Sequence, residues 1–214
     1  MTFVLMGALA AGQVAAGGVT YRVEPLAIDT RVADVVGPRR SGSLCLPAGS
    51  IAWREARPEP REAREAFAAG LRAGGLTVAD TGNPFAEGGR GADRAIRAGL
   101  RGVRLSACVP PGGLGRLLNH SHAVKGDGLV AMSWRVYARD QDAPVVAGVT
   151  CVAFAYREAR ATLMTMTLAG IEAAGRHIAA DVLADGRLRA GEEEGCRRLS
   201  DQSGATFTVA GGDE

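Results

Sequence analysis

Apolar and polar residues alternate in several stretches of the chain, a period of two that is typical of half-buried strands. This alternation, together with short apolar runs bounded by turn residues, predicts strands at 19–29, 43–47, 76–80, 128–140 and 145–156. The last two strands are separated by the turn sequence DQDAP, so we predict a hairpin there. Residues 30–42 end in Gly, Pro and Ser turn residues, and we predict a connection.

A further strand is predicted at 92–109, but its apolar positions change phase part-way along. Ile96, Ala98 and Leu100 share one face, and Val103, Leu105 and Ala107 take up that face one position later. A β-bulge at Gly102 would absorb the slip and keep both runs on the core side.

Two segments have helical spacing instead. In 58–75 the apolar residues recur every three or four positions, with Pro60 near the first turn and a Gly-Gly pair at the end. In 157–186 a longer apolar stripe predicts a helix of about six turns. Two long helices and a set of strands predict an α/β (α+β) fold. We expect a two-layer sandwich in which both helices pack on one face of a mixed, twisted sheet.

The N-terminus predicts export. Residues 3–11 form a nine-residue apolar run, which is far shorter than the roughly 20 residues that cross a bilayer. Small residues follow the run, so we predict an export signal at 1–18 and a mature protein that begins near Val19; the alternative is a buried first strand. No transmembrane segment is predicted. We expect a single domain at 19–185, a charged, Gly-rich tail at 186–214, and a periplasmic or extracellular location.

The chain has four cysteines, at positions 45, 108, 151 and 196. An even number of cysteines in an exported protein favours disulfides over inert thiols or thiol chemistry. Cys45 and Cys108 each end a predicted strand just before a proline, so we predict that they pair. Cys151 lies in the middle of a strand, and we predict that Cys196 in the tail pairs with it.

Candidate chemistry is sparse. His120 and His122, with Asp127 as a third ligand, are the one set that suggests a metal site, and a solvated loop is the alternative. The sequence GGLG at 112–115 lacks the lysine and the spacing of a phosphate-binding loop. We therefore predict no catalytic residue, no metal site and no cofactor. The formal net charge of +2 is too small to indicate a nucleic-acid partner.

Arginines on the predicted sheet are the more informative feature. Arg97, Arg101 and Arg135 fall on the face opposite the apolar positions, so they line the sheet face that the helices leave open. Such a face suits an acidic partner or an anionic cell-wall polymer, and solvated surface charge is the alternative. The acidic run 192–194 is expected to be a solvated part of the tail.

The order of elements resembles an α/β module of periplasmic and outer-membrane-associated accessory proteins. The similarity lies in FAAGLRAGGLTVAD, ADRAIRAGLRGV, SWRVYARD, PVVAGVT and IEAAGRHIAAD, and it covers residues 19–185. Activator lipoproteins of penicillin-binding proteins and the curli-secretion lipoprotein contain modules of this kind. The lipid-bearing cysteine of those lipoproteins is absent here, and the group shares no catalytic residues.

The resemblance implies a non-enzymatic, exported accessory or assembly protein of the bacterial cell envelope. Its partner would be an envelope protein complex or a second copy of the chain, bound by protein–protein contact. The alternative is an exported metal-binding protein or hydrolase that uses the loop 109–127.

Overall fold

The computed structural model describes residues 18–28, 35–42, 44–79, 92–109, 123–159 and 162–184. Among these residues, eight strands form one mixed sheet, accompanied by three helices. The strands are β1 (Thr20–Val23), β2 (Ala27–Ile28), β3 (Val35–Ser41), β4 (Leu46–Ala52), β5 (Thr77–Val78), β6 (Arg94–Val109), β7 (Ala123–Ala138) and β8 (Pro144–Ala159). The helices are α1 (Trp53–Ala56), α2 (Pro60–Ala73) and α3 (Leu163–Leu183).

Strand β6 is the centre of the sheet. Along one edge it pairs in parallel with β1, β2 and β3 in turn. Along its other edge it pairs antiparallel with β7, which pairs antiparallel with β8. Strands β5 and β4 extend the sheet beyond β1 and β3. The predicted α/β sandwich with a mixed sheet is confirmed, and so is the β7–β8 hairpin.

The predicted bulge in β6 is also confirmed. Leu100 pairs with Met132, whereas Gly102 pairs with Ala131, so Arg101 is the extra residue on β6. The apolar residues on both sides of the bulge are buried, as the phase slip predicts: Ile96, Ala98, Leu100, Val103, Leu105 and Ala107.

Helix α2 begins and ends where its sequence predicts, whereas α1 was not predicted and α3 is shorter than the predicted segment 157–186, because residues 157–159 belong to β8. Pro60 opens α2, and α3 begins after Thr162, whose hydroxyl accepts a hydrogen bond from the Thr165 backbone amide at 3.1 Å. Helix α2 packs against α3 and β5, and α3 packs against β7 and β8. The stripe of α3 that faces the core is the predicted one: Leu163, Met166, Thr167, Gly170, Ile171, Ala174, Ile178 and Val182.

Three strand predictions are wrong in part. The connection predicted at 30–42 contains strand β3, which forms a bulged hairpin with β4. Of the buried strand predicted at 43–47, the described residues 44–45 form a turn and β4 begins at Leu46, and Leu44 and Leu46 are exposed. Pro47 lies in β4, at the edge of the sheet, and Pro38 lies beside a register shift in β3, and both kinds of position tolerate the missing N–H group of proline. The single strand predicted at 19–29 is two short strands, β1 and β2.

Candidate partner-binding face

The two faces of the sheet differ in character. Val130, Met132 and Trp134 of β7 face the helices and are buried. The residues that alternate with them, together with their neighbours on β6 and β8, form the opposite face. We call it the arginine face, and it carries Arg97, Arg101, Arg104, Ser133 and Arg135.

Arg97 is held by two contacts on this face. Its Nε donates a hydrogen bond to the Glu24 carboxylate at 2.6 Å, and its guanidinium lies 4.6 Å from the centre of the Tyr137 ring. The hydrogen bond to Glu24 is the main reason that the pKa of Arg97 is raised above its ordinary value. A guanidinium fixed in this way presents its remaining N–H groups in a defined direction.

Arg135 lies directly opposite Arg97 on the neighbouring strand. Two like charges at such positions repel each other, and Glu24 offsets the charge of Arg97. In the part of the chain that the structure describes, Arg135 has no carboxylate partner. Arg135 therefore adds a positive charge to the arginine face, and no acidic residue among those described balances this charge.

The bulge directs the Arg101 side chain towards the part of the arginine face that carries Arg97 and Arg135. As the extra residue of β6, Arg101 extends over β7, where its Nε donates to the Ser133 hydroxyl at 2.8 Å. A shallow depression of about 310 Å³ lies between these side chains, lined by Ala27, Gly99, Arg101, Ser133, Arg135 and Tyr137. The three predicted arginines thus surround one concave, positively charged region.

The sequence reasoning missed Glu24 and Tyr137. The signal for Tyr137 is its position two residues after Arg135, which places both on the same strand face. Glu24 lies 73 residues before Arg97 in the sequence, and it is brought close only by the parallel pairing of β1 with β6.

The structure joins Cys45 to Cys108, the pairing that the sequence predicts, with 5.3 Å between the two Cα atoms. The bridge ties the turn before β4 to the end of β6. Cys151, on β8, is disulfide-bonded as well. Cys196, its predicted partner, lies outside the described residues, as does all of the predicted tail 186–214.

The predicted loop 109–127 is shorter than expected, because β7 already begins at Ala123. Asp127 is part of that strand and pairs with Ser106 and Ala155. His120, His122 and GGLG lie outside the described residues, as do residues 1–17. The described ranges contain no cluster of three His, Cys, Asp or Glu residues that could hold a metal ion. Within those ranges, no helix has the length and apolar character needed to cross a membrane.

We expect that the histidines hold no metal. Replacing His120 and His122 together by alanine should leave both the metal content of the purified protein and its melting temperature unchanged, since Asp127 has no cluster of further ligands around it among the described residues. Elemental analysis of the two proteins measures this. A stoichiometric metal that the double variant loses would support the metal-binding alternative.

No protein family model matches the chain, and no curated protein matches it. Solved structures that match the chain include a PelC dodecamer from Paraburkholderia phytofirmans, at 14% identity over 78% of this chain and 88% of that chain, with TM-score 0.34. A DUF330 protein from Xanthomonas campestris matches at 11% identity, over 84% of this chain and 88% of that one, with TM-score 0.38. A minor lipoprotein from Acinetobacter baumannii matches at 8% identity, over 78% and 93%, with TM-score 0.34.

At these identities and TM-scores, none of the three similarities carries an argument about function. One of the matched proteins is itself described as a lipoprotein. The resemblance to penicillin-binding-protein activators and to the curli-secretion lipoprotein stays a prediction.

Proposed function

We propose that the protein is a non-enzymatic, exported accessory protein of the bacterial cell envelope that binds an acidic partner protein through its arginine face. The observation that carries the proposal is the clustering of Arg97, Arg101 and Arg135 around one depression, on the sheet face opposite the helices. Arginine forks bind carboxylates with two parallel hydrogen bonds, so a protein surface rich in Asp and Glu is the matching partner.

Export is supported by two independent features. The short apolar run at 3–11, followed by small residues, has the pattern of a signal peptide. The Cys45–Cys108 bridge is a disulfide, a bond that persists in oxidising compartments. A periplasmic or extracellular location follows from the proposal.

The rigidity of the face suits a contact surface. Arg97 is fixed by Glu24 and Tyr137, and Arg101 is fixed by Ser133, so less side-chain entropy is lost when a partner binds. The face is also built on paired strands, which hold their side chains in a more constant geometry than loops do.

Charge reversal tests the proposal. We expect Arg97→Glu, Arg101→Glu and Arg135→Glu, combined in one variant, to release the protein from its envelope complex, because an acidic partner is then repelled. The apparent mass of the complex, measured by size-exclusion chromatography of a chemically crosslinked envelope extract, should fall to that of the free protein.

The matched control makes the same change in net charge as the triple variant, but on the helical layer. Arg54→Glu, Arg57→Glu and Arg72→Glu replace exposed arginines of and next to α1 and α2, and this variant should keep the wild-type complex. Equal complexes from both variants would contradict a contact through the arginine face.

A further inference from the structure

The two most exposed large apolar side chains in the described part of the chain lie next to each other at the turn between β3 and β4. Leu44 is 79% exposed and Leu46 is 61% exposed, and Pro47 and Ala48, which follow them, are exposed as well. Apolar side chains scattered singly over a surface need no explanation, whereas a cluster of them marks a contact with another molecule or with a membrane. We call these four residues the hairpin tip.

The disulfide holds the hairpin tip at the surface. Cys45, which lies between the two leucines, is bonded to Cys108 of β6. Its backbone amide donates a hydrogen bond to the carbonyl oxygen of Gly42 at 3.2 Å, and its φ of 50° is a left-handed conformation that few residues other than glycine adopt. The bridge and the turn therefore fix both leucines in a position from which they contact whatever lies outside the protein.

Three basic residues lie in one row across the sheet beside this tip. Arg40 of β3 pairs with Cys108, the residue that is bridged to the tip. Cys108 also pairs with Lys125 of β7, which pairs in turn with Arg157 of β8. Neighbouring strands are about 4.8 Å apart, so the row spans about 14 Å. All three side chains are exposed, and we call Arg40, Lys125 and Arg157 the basic row.

The charges of the basic row are not balanced by described acidic residues. Lys125 and Arg157 lie directly opposite each other, an arrangement in which like charges repel. In the part of the chain that the structure describes, no member of the row forms an ion pair. Asp127, two residues along β7 from Lys125, offsets one of the three charges at most. The row therefore keeps a net positive charge that an anion outside the chain can neutralise.

We propose that the hairpin tip and the basic row together dock the protein on a membrane surface that contains anionic lipids. Leu44 and Leu46 enter the boundary between headgroups and acyl chains, and the basic row binds lipid phosphates. Membrane binding of this kind grows with the buried apolar area and with the attraction to anionic lipids, and this end of the sheet offers both. In a bilayer the acyl chains lie directly beneath the phosphates, so one occupant matches the leucines and the charges at once.

The docking surface is separate from the depression on the arginine face. Arg97 and Cys108 lie towards opposite ends of β6, roughly 35 Å apart along the strand. A protein docked through its hairpin tip would hold the depression away from the bilayer, where a partner protein can reach it. The docking does not depend on the proposed function, because it uses none of the residues assigned to the partner.

Flotation of the full chain with lipid vesicles tests the contribution of the leucines. We expect the protein to bind vesicles of phosphatidylglycerol and phosphatidylcholine in equal parts. The variant Leu44→Ser with Leu46→Ser should bind them about tenfold more weakly, because two apolar side chains no longer leave water. The control Val145→Ser with Leu183→Ser replaces exposed apolar side chains elsewhere on the surface and should bind like the wild type. Equal binding by all three proteins would overturn the proposal.

The contribution of the basic row is tested with the same vesicles. Arg40→Gln, Lys125→Gln and Arg157→Gln, combined in one variant, should weaken binding about tenfold and make it insensitive to the phosphatidylglycerol content. The control Arg54→Gln, Arg57→Gln and Arg72→Gln makes the same change in net charge on the exposed surface of the helical layer and should bind like the wild type. Equal weakening by both variants would show a general charge effect and contradict a role of the row.

Lys125, the one lysine in the sequence, gives a signal from the docking surface itself. Its acylation by an N-hydroxysuccinimide ester, measured by peptide mapping, should slow about fivefold when the mixed vesicles are added, because bound headgroups shield the amine. Vesicles of phosphatidylcholine alone should not slow it, and the serine variant of the two leucines should lose the protection. Circular dichroism checks that each variant is folded.

This measurement separates the docking from other contacts. The apolar run 3–11 is the same in every variant, so vesicle binding that leaves the acylation of Lys125 unchanged would assign binding to another segment and overturn the proposal. Protection that rises with protein concentration in the absence of vesicles would assign the surface to a second copy of the chain, and would overturn it too. Charge reversal at Arg97, Arg101 and Arg135 should leave the protection by vesicles intact, so a failure of the proposed function remains distinguishable.

Discussion

Removing the Cys45–Cys108 bridge should lower the free energy of unfolding by about 4 kcal/mol, because the cross-link restricts the unfolded chain. The two cysteines are 63 residues apart in the sequence, so the bridge closes a long loop that contains β4, α1, α2 and β5. It also ties the edge hairpin β3–β4 to the central strand. Urea unfolding of the double variant Cys45→Ala with Cys108→Ala, under non-reducing conditions, measures the loss.

Leu44→Ala is the matched control for the turn that holds Cys45. Its side chain is 79% exposed, so the substitution should change stability by less than about 0.5 kcal/mol. The unfolded double variant exposes more surface than the cross-linked wild type, and its unfolding should therefore also depend more steeply on urea. A loss of less than about 1 kcal/mol in the double variant would contradict the entropic role of the bridge.

Gly70→Ala should destabilise the protein by about 2 to 3 kcal/mol, because it overpacks the contact between α2 and α3. A Cβ atom at Gly70 would lie 2.1 Å from the backbone oxygen of Glu172 and 3.0 Å from the Cα atom of Gly175. Both are backbone atoms of α3, so the two helices would have to move apart. Thermal and urea unfolding of the variant measure the effect.

The sign of this result is informative. Helix propensity alone favours alanine over glycine by about 1 kcal/mol, so an uncrowded position would gain stability. The control Ala69→Gly, at the neighbouring exposed position of α2, should lose about that amount. An increase in stability for Gly70→Ala would show that the helices are not in close contact there.

The parts of the fold that the sequence predicts are those specified by local patterns. The one-residue slip at Gly102 predicts the bulge, and the spacing of apolar residues predicts the core stripe of α3. The β3–β4 hairpin was not predicted, because its residues fit contacts with β6 and do not follow a local strand pattern. At Gly37, a Cβ atom would lie 1.8 Å from the backbone oxygen of Leu105, so the glycine that resembles a turn residue is required by strand packing.

The same limit applies to the arginine face. The alternation along β6 and β7 places Arg97, Arg101 and Arg135 on the face opposite the core. The pattern within each strand is enough to predict this. The direct opposition of Arg97 and Arg135 requires the register between two strands, and the contact of Arg97 with Glu24 requires the parallel pairing of β1 and β6.

Site-specific photo-crosslinking in the cell envelope tests most directly whether the protein works through its arginine face. A photoreactive amino acid replaces Ala147, which pairs with Arg135 on the exposed edge of that face, or Ala69 on the surface of α2. We expect one discrete crosslinked protein from position 147, lost when Arg97, Arg101 and Arg135 are changed to glutamate, and none from position 69. The same crosslinked protein from both positions, or its persistence after charge reversal, would contradict a partner bound at this face.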